Sequence, residues 1–162
     1  MSRIYPHLWY TTDAIEAAKL YTSIFPDSGV ERVSSLPSDS PSGPAGSVDI
    51  VEFRLFGQHF QAMSAGPLDD FNHSISLVVE CDDQEEIDRY WSALQEGGGT
   101  SEQCGWVCDR FGVRWQIVPT VLRDLITGGD RARAKRAADA MLGMDKLDIA
   151  TLEAAAAGAP VS

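Results

Sequence analysis

Phe56-Gly57-Gln58-His59-Phe60-Gln61 returns as Phe111-Gly112-Val113-Arg114-Trp115-Gln116, 55 positions later. The shared pattern is Phe-Gly-x-x-aromatic-Gln. The segments ahead of it also correspond, at an offset of 70. Pro6-His7-Leu8-Trp9-Tyr10, with Asp13, Tyr21 and Ile24 behind it, lines up with Ser76-Leu77-Val78-Val79-Glu80, then Asp83, Trp91 and Leu94. Self-similarity at a fixed spacing implies two copies of one supersecondary unit. A pocket at their pseudo-twofold is the corresponding expectation.

Each copy reads as βαβββ. In the first, residues 4–11 form an aromatic and apolar strand, and Thr12 or Asp13 caps a helix. Ala14, Ala17, Ala18, Tyr21 and Phe25 recur on that helix at the spacing of one buried stripe. Pro26-Asp27-Ser28-Gly29 ends it, and residues 30–35 form a second strand. Residues 37–47 hold three prolines among serines and glycines, which predicts a mobile loop, either a lid or a long hairpin connection. Residues 48–56 alternate apolar and polar, Gly57-Gln58 turns the chain, and residues 59–65 return as a hairpin.

In the second copy, residues 74–81 form a strand and Asp82 or Asp83 caps a helix buried through Ile87, Tyr90, Trp91 and Leu94. Gly97-Gly98-Gly99 stops it. A short strand over 100–102 precedes a hairpin of 105–109 and 113–118, turned at Gly112. Beyond Pro119 the pattern becomes helical, over 121–126, from Asp130 to about Leu142, and over 145–157. This tail has no counterpart in the first copy, and packs on the domain or grips a second subunit.

A net charge of −11 opposes nucleic-acid phosphates and anionic membrane surfaces, and otherwise reads as solubility. No apolar run approaches the ~20 residues of a membrane span. Three cysteines, Cys81, Cys104 and Cys108, and no secretory signal pattern make a cytoplasmic protein the expectation. Cys104 and Cys108 are spaced as Cys-x-x-x-Cys with no second pair, so buried thiols are expected rather than a zinc set.

Several of these words resemble the vicinal oxygen chelate superfamily of glyoxalases, bleomycin-resistance proteins and extradiol dioxygenases. The match is with its PhnB-like branch, described as 3-demethylubiquinone-9 3-methyltransferase-like. They are Pro6-His7-Leu8-Trp9-Tyr10, Phe25-Pro26-Asp27-Ser28, Asp88-Arg89-Tyr90-Trp91, Cys104-Gly105-Trp106 and Asp109-Arg110-Phe111-Gly112, and the resemblance covers nearly the whole chain. It implies an α+β fold of paired βαβββ modules, about 1–66 and 73–119, forming a cup-shaped mixed sheet. Residues 1–126 would be the glyoxalase-like domain and 127–162 a helical extension.

The superfamily's enzymes place metal ligands on the first and last strand of each module. The resemblance puts those positions at Pro6, Gln61, Ser76 and Gln116. Proline offers no donor, and neutral serine and glutamine do not compensate a divalent cation for its lost hydration. No metal and no cofactor are therefore expected. His7 stands next to Pro6 on the opposite strand face, unless a bulge turns it inward. His59 and His73 are expected to be satisfied or solvent-facing.

What remains is a small-molecule ligand held by Gln61, Ser76 and Gln116, with Trp106 lining the cup if its strand has the right register. Alternation places Trp115 on the face away from Gln116. The competing reading is an enzyme, either a methyltransferase or a divalent-metal lyase or dioxygenase. The resemblance also implies a homodimer. No glycine-rich strand-to-helix turn for S-adenosylmethionine is visible, because Gly97-Gly98-Gly99 follows a helix instead of opening one.

Overall fold

The computed structural model describes residues 3–159, so the first two and last three positions of the chain lie outside it. The chain divides into two compact units, one up to Asp70 and one from Phe71. Each has an open four-stranded mixed sheet, and the fold class is α+β.

In the first unit, β1 (His7–Tyr10), α1 (Ala14–Ile24), β2 (Gly29–Ser35), β3 (Asp49–Leu55) and β4 (Gln58–Ser64) follow in order. The sheet order is β1-β4-β3-β2, with β1 parallel to β4 and the other pairs antiparallel. Alternation sends Val51, Phe53, Leu55, Phe60 and Ala62 to one face, where Ala14, Ala17, Ala18 and Tyr21 of α1 are also buried. Inside that layer the Tyr10 and Tyr21 hydroxyls satisfy each other at 3.1 Å. Asp13 occupies the N-cap position of α1 but its side chain caps nothing. The Ala14 amide instead donates to Ser64 Oγ at 3.1 Å, a cap supplied by β4.

Residues 36–47 form a hydrogen-bonded hairpin connection. Leu36 N donates to Val48 O, Gly46 N to Leu36 O, and Ala45 N to Asp39 Oδ1. Of the two sequence-based readings of this loop, lid or long hairpin connection, these bonds support the second.

The second unit repeats the order with β5 (Leu77–Cys81), α2 (Gln84–Gln95), β6 (Thr100–Ser101), β7 (Trp106–Cys108) and β8 (Arg114–Pro119). Its sheet order, β5-β8-β7-β6, is that of the first unit, element for element. Asp83 caps α2 by accepting from Glu86 N.

The two Phe-Gly turns differ. Phe56 and Gly57 both have positive φ, 49° and 72°, as a two-residue hairpin of matched twist requires. In the second unit Gly112 N donates to Asp109 O and Asp109 N to Val113 O, which closes a three-residue loop with only Gly112 left-handed.

The tail consists of α3 (Val121–Thr127), α4 (Arg131–Leu142) and α5 (Ile149–Ala157). Leu125, Ala137, Leu147, Leu152 and Ala156 form its core, against which Val118 of β8 packs. Cys104 N and Gly105 N donate to Met144 O and Asp145 O, and Gln84 of α2 bonds both Leu147 O and Ile149 N. The tail therefore packs within its own chain, onto the second unit. No described helix is long and apolar enough to cross a membrane.

Candidate functional site

Alternation leaves one face of each sheet without a covering helix of the βαβββ unit, and the chemistry-bearing side chains stand there. On the first unit's open face, His7 pairs in register with Gln61, and Gln61 with Glu52. His7 Nδ1 lies 2.9 Å from Gln61 Oε1. An amide oxygen only accepts, so His7 carries its proton on Nδ1. This corrects the sequence-based placement. His7, not Pro6, stands beside Gln61 and on the same face.

The cause is a one-residue difference in loop length. Between Tyr10 and Ala14 the chain has three residues, and between Cys81 and Gln84 it has two. An alignment anchored on the helix caps is therefore one residue off on the strands. Glu52, the third member of the row, was missed, although the alternation of β3 already put it on this face.

On the second unit's open face, Gln116 pairs in register with Val78 on one side and Trp106 on the other. Ser76 lies just ahead of β5, and its Oγ accepts from Gln116 Nε2 at 2.7 Å. Val78, 56% exposed, adds apolar surface to this face. Trp106 is only half-buried, whereas Trp115 is 2% exposed on the opposite face and donates through Nε1 to Asp109 Oδ2 at 2.8 Å. The structure thus brings Ser76, Trp106 and Gln116 together, and Gln61 belongs to the first unit with His7.

Two further constellations escaped the sequence reading, because their members are far apart along the chain. Glu102 Oε2 lies 2.9 Å from His73 Nε2, and its Oε1 lies 3.7 Å from Arg114 Nε. Glu31 Oε1 lies 2.5 Å from Arg54 Nε, and its Oε2 lies 3.3 Å from His59 Nδ1. The hydrogen bond from Arg54 holds the Glu31 carboxyl below the usual carboxylate range.

Of the cysteines, Cys81 is buried and burial pushes its thiol up to about 12. Cys104 and Cys108 are only partly buried, which corrects the expectation of buried thiols for that pair. Burial also raises the Cys108 thiol.

The donor set does not fit a resident divalent cation. In the first unit His7 spends Nδ1 on the very amide oxygen that would be its co-ligand. In the second, an amide and a hydroxyl bond each other. Among the described residues no group of three or more His, Cys, Asp or Glu is placed to hold a metal ion.

Comparison with known proteins places this geometry. A family model described as 3-demethylubiquinone-9 3-methyltransferase matches residues 2–118. No curated protein matches the chain significantly. Among solved structures, the PhnB protein from Bacillus cereus is 28% identical with a TM-score of 0.62, covering 74% of this chain and 100% of its own. A Pseudomonas aeruginosa protein is 22% identical with a TM-score of 0.56, covering 74% and 98%. The fosfomycin resistance protein FosX from Listeria monocytogenes, in complex with Mn(II) and sulfate, is 13% identical with a TM-score of 0.52, covering 72% and 89%. The last two are similar in fold alone. Taken with the repeated βαβββ topology and a family match that spans β1 to most of β8, these likenesses mean that the chain belongs to the 3-demethylubiquinone-9 3-methyltransferase family, the PhnB-like branch of the vicinal oxygen chelate superfamily.

Proposed function

We propose that the chain binds small organic molecules on its open sheet faces without a resident metal, through Ser76, Trp106 and Gln116 on the second unit and, separately, through Gln61 on the first. The observation that carries this is the neutral pair Gln116–Ser76 at 2.7 Å beside a half-exposed Trp106. An aromatic ring supplies contact area, and an amide and a hydroxyl orient a neutral polar group. Adding small aromatic fragments to isotope-labelled protein should move the NMR signals of Trp106, Gln116 and Ser76 together. A fragment set that moves none of them, or stoichiometric metal in the purified protein with an activity depending on it, overturns the proposal.

The family description favours a second reading, methyl transfer. The strand-to-helix turns carry Thr11-Thr12-Asp13 and Asp82-Asp83, not the glycines that let a backbone approach a nucleotide-like cofactor. Calorimetric titration with S-adenosylmethionine is expected to give no binding heat. A saturable isotherm reverses the order of the two readings. Metal-dependent lyase or dioxygenase chemistry ranks third, because by strand register the matching positions are His7 tied to the Gln61 amide, and Gln116 opposite Val78, which offers no donor.

We place the protein in the cytoplasm as a homodimer. β2 is an edge strand with Val30 and Val33 exposed, a surface a second copy would cover. Light scattering should return twice the chain mass, and a monomer at micromolar concentration refutes the dimer.

A further inference from the structure

We propose that His73, oriented by Glu102, is the proton acceptor of the second unit's open face, and that the ligands taken there are planar, weakly acidic organic molecules. This rests on the ligand-binding reading above and adds a chemistry to it.

Glu102 accepts from His73 Nε2 at 2.9 Å. A carboxylate oxygen accepts in that bond, so Nε2 holds a proton, and in the neutral tautomer of the imidazole the lone pair is on Nδ1. The segment presenting the ring is fixed on both sides. Arg114 Nη1 donates to Phe71 O at 3.3 Å, and Ser74 N donates to Asn72 Oδ1 at 2.8 Å. The imidazole lies 5.7 Å from the Trp106 ring, tilted by 44°, and Trp106 is level with Gln116. His73 is 58% exposed, so a ligand on the Trp106 ring can reach it.

The first unit holds a related set with the opposite preference. Arg54, Glu31 and His59 there repeat the Arg–Glu–His set, with Tyr5 in place of a tryptophan, its ring 4.6 Å from His59. Glu31 belongs to the arginine, at 2.5 Å, and its distance to His59 is 3.3 Å. In the second unit the preference is reversed. Glu102 is at hydrogen-bond distance from His73 and 3.7 Å from Arg114 Nε, a buried nitrogen with no hydrogen-bond partner. The carboxylate that could have satisfied that nitrogen serves the imidazole instead.

Glu102 is the charged partner of His73, Arg114 Nε stands 3.7 Å from that carboxylate, and burial raises the thiol of Cys108, which is level with Arg114. In the transfer the ligand's O–H bond breaks, its electron pair stays on oxygen, and the proton forms the Nδ1–H bond. The imidazolium is then paired with Glu102, and the ligand anion accepts from the Ser76 hydroxyl. No oxidant, reductant or cofactor is required.

The test uses 4-nitrophenol and the whole protein, at the pH where the free probe is half ionised. Binding should raise the phenolate absorbance saturably, with the bound phenolate-to-phenol ratio shifted by about tenfold, the effect of one close opposite charge. The NMR signals of Trp106 and Gln116 should move with it. His73→Gln should keep those signal changes and lose the absorbance rise, and Glu102→Gln should weaken the rise. Signal changes at Trp106 with no phenolate rise, or a rise that survives in His73→Gln, overturns the proton acceptor and leaves the ligand site standing. No change at Trp106 overturns both.

Discussion

Replacing Asp109 by Ala is expected to destabilise the second unit by about 4 kcal/mol. Asp109 is 3% exposed. Its Oδ1 accepts from Phe111 N at 2.9 Å and Val113 N at 3.0 Å, and its Oδ2 from Trp115 Nε1 at 2.8 Å. Truncation orphans all three donors, and each buried orphan costs about 1–3 kcal/mol, with less than full additivity because they share one partner. The same carboxyl closes the turn between β7 and β8, so it also keeps Trp106 level with Gln116. Urea unfolding of the variant should show the loss in the midpoint, and Asp109→Asn, which retains one acceptor, should recover part of it. A loss under about 1 kcal/mol would mean that the carboxyl is not the organiser of this hairpin.

Gly105→Ala should cost about 3 kcal/mol or more, through a different cause. Gly105 has φ of +82°, in the left-handed region that disfavours a Cβ. A Cβ there would stand 2.7 Å from the Ile117 carbonyl oxygen and 3.1 Å from Leu147 Cδ1. Neither neighbour is free to yield. Ile117 N already donates to Gly105 O, Gly105 N donates to Asp145 O, and Leu147 is fully buried in the tail core. The variant should lower the thermal midpoint and move the NMR signals of Trp106, the next residue. A midpoint unchanged from the parent, with Trp106 unmoved, would show that the tail does not hold this strand.

These two residues mark the boundary of what could be read along the chain. The duplication was visible because identical words recur at a constant spacing, which was enough for the βαβββ succession of elements; the Asp130 cap, and the cap at Asp82 or Asp83 that the structure assigns to Asp83, act over two or three residues and were legible too. Both helix stripes were legible for the same reason. The cap of the first helix was not. Its Ala14 amide is satisfied by Ser64, 50 residues away, and no local cap pattern announces such a partner. The Phe-Gly repeat promised one turn twice and produced two geometries, because Phe56 takes up a left-handed conformation while Asp109 binds the second turn from inside.

The candidate site divides in the same way. Gln61, Ser76, Trp106 and Gln116 were named from alternation and resemblance. His7 was put on the wrong face by a single residue of loop length, and strand pairing corrected it. His73–Glu102, 29 positions apart, and Arg114 beside them carry no spacing signal at all.

By itself the sequence determined the repeated βαβββ order, the buried stripes and the uncharged character of most of the matching ligand positions, since periodicity and residue type are local properties. Only the tertiary structure decided which donors share a proton, which carboxylate serves a histidine and where the tail docks. Those depend on strand register and on through-space distance, and a one-residue slip in register reverses the face of every side chain that follows.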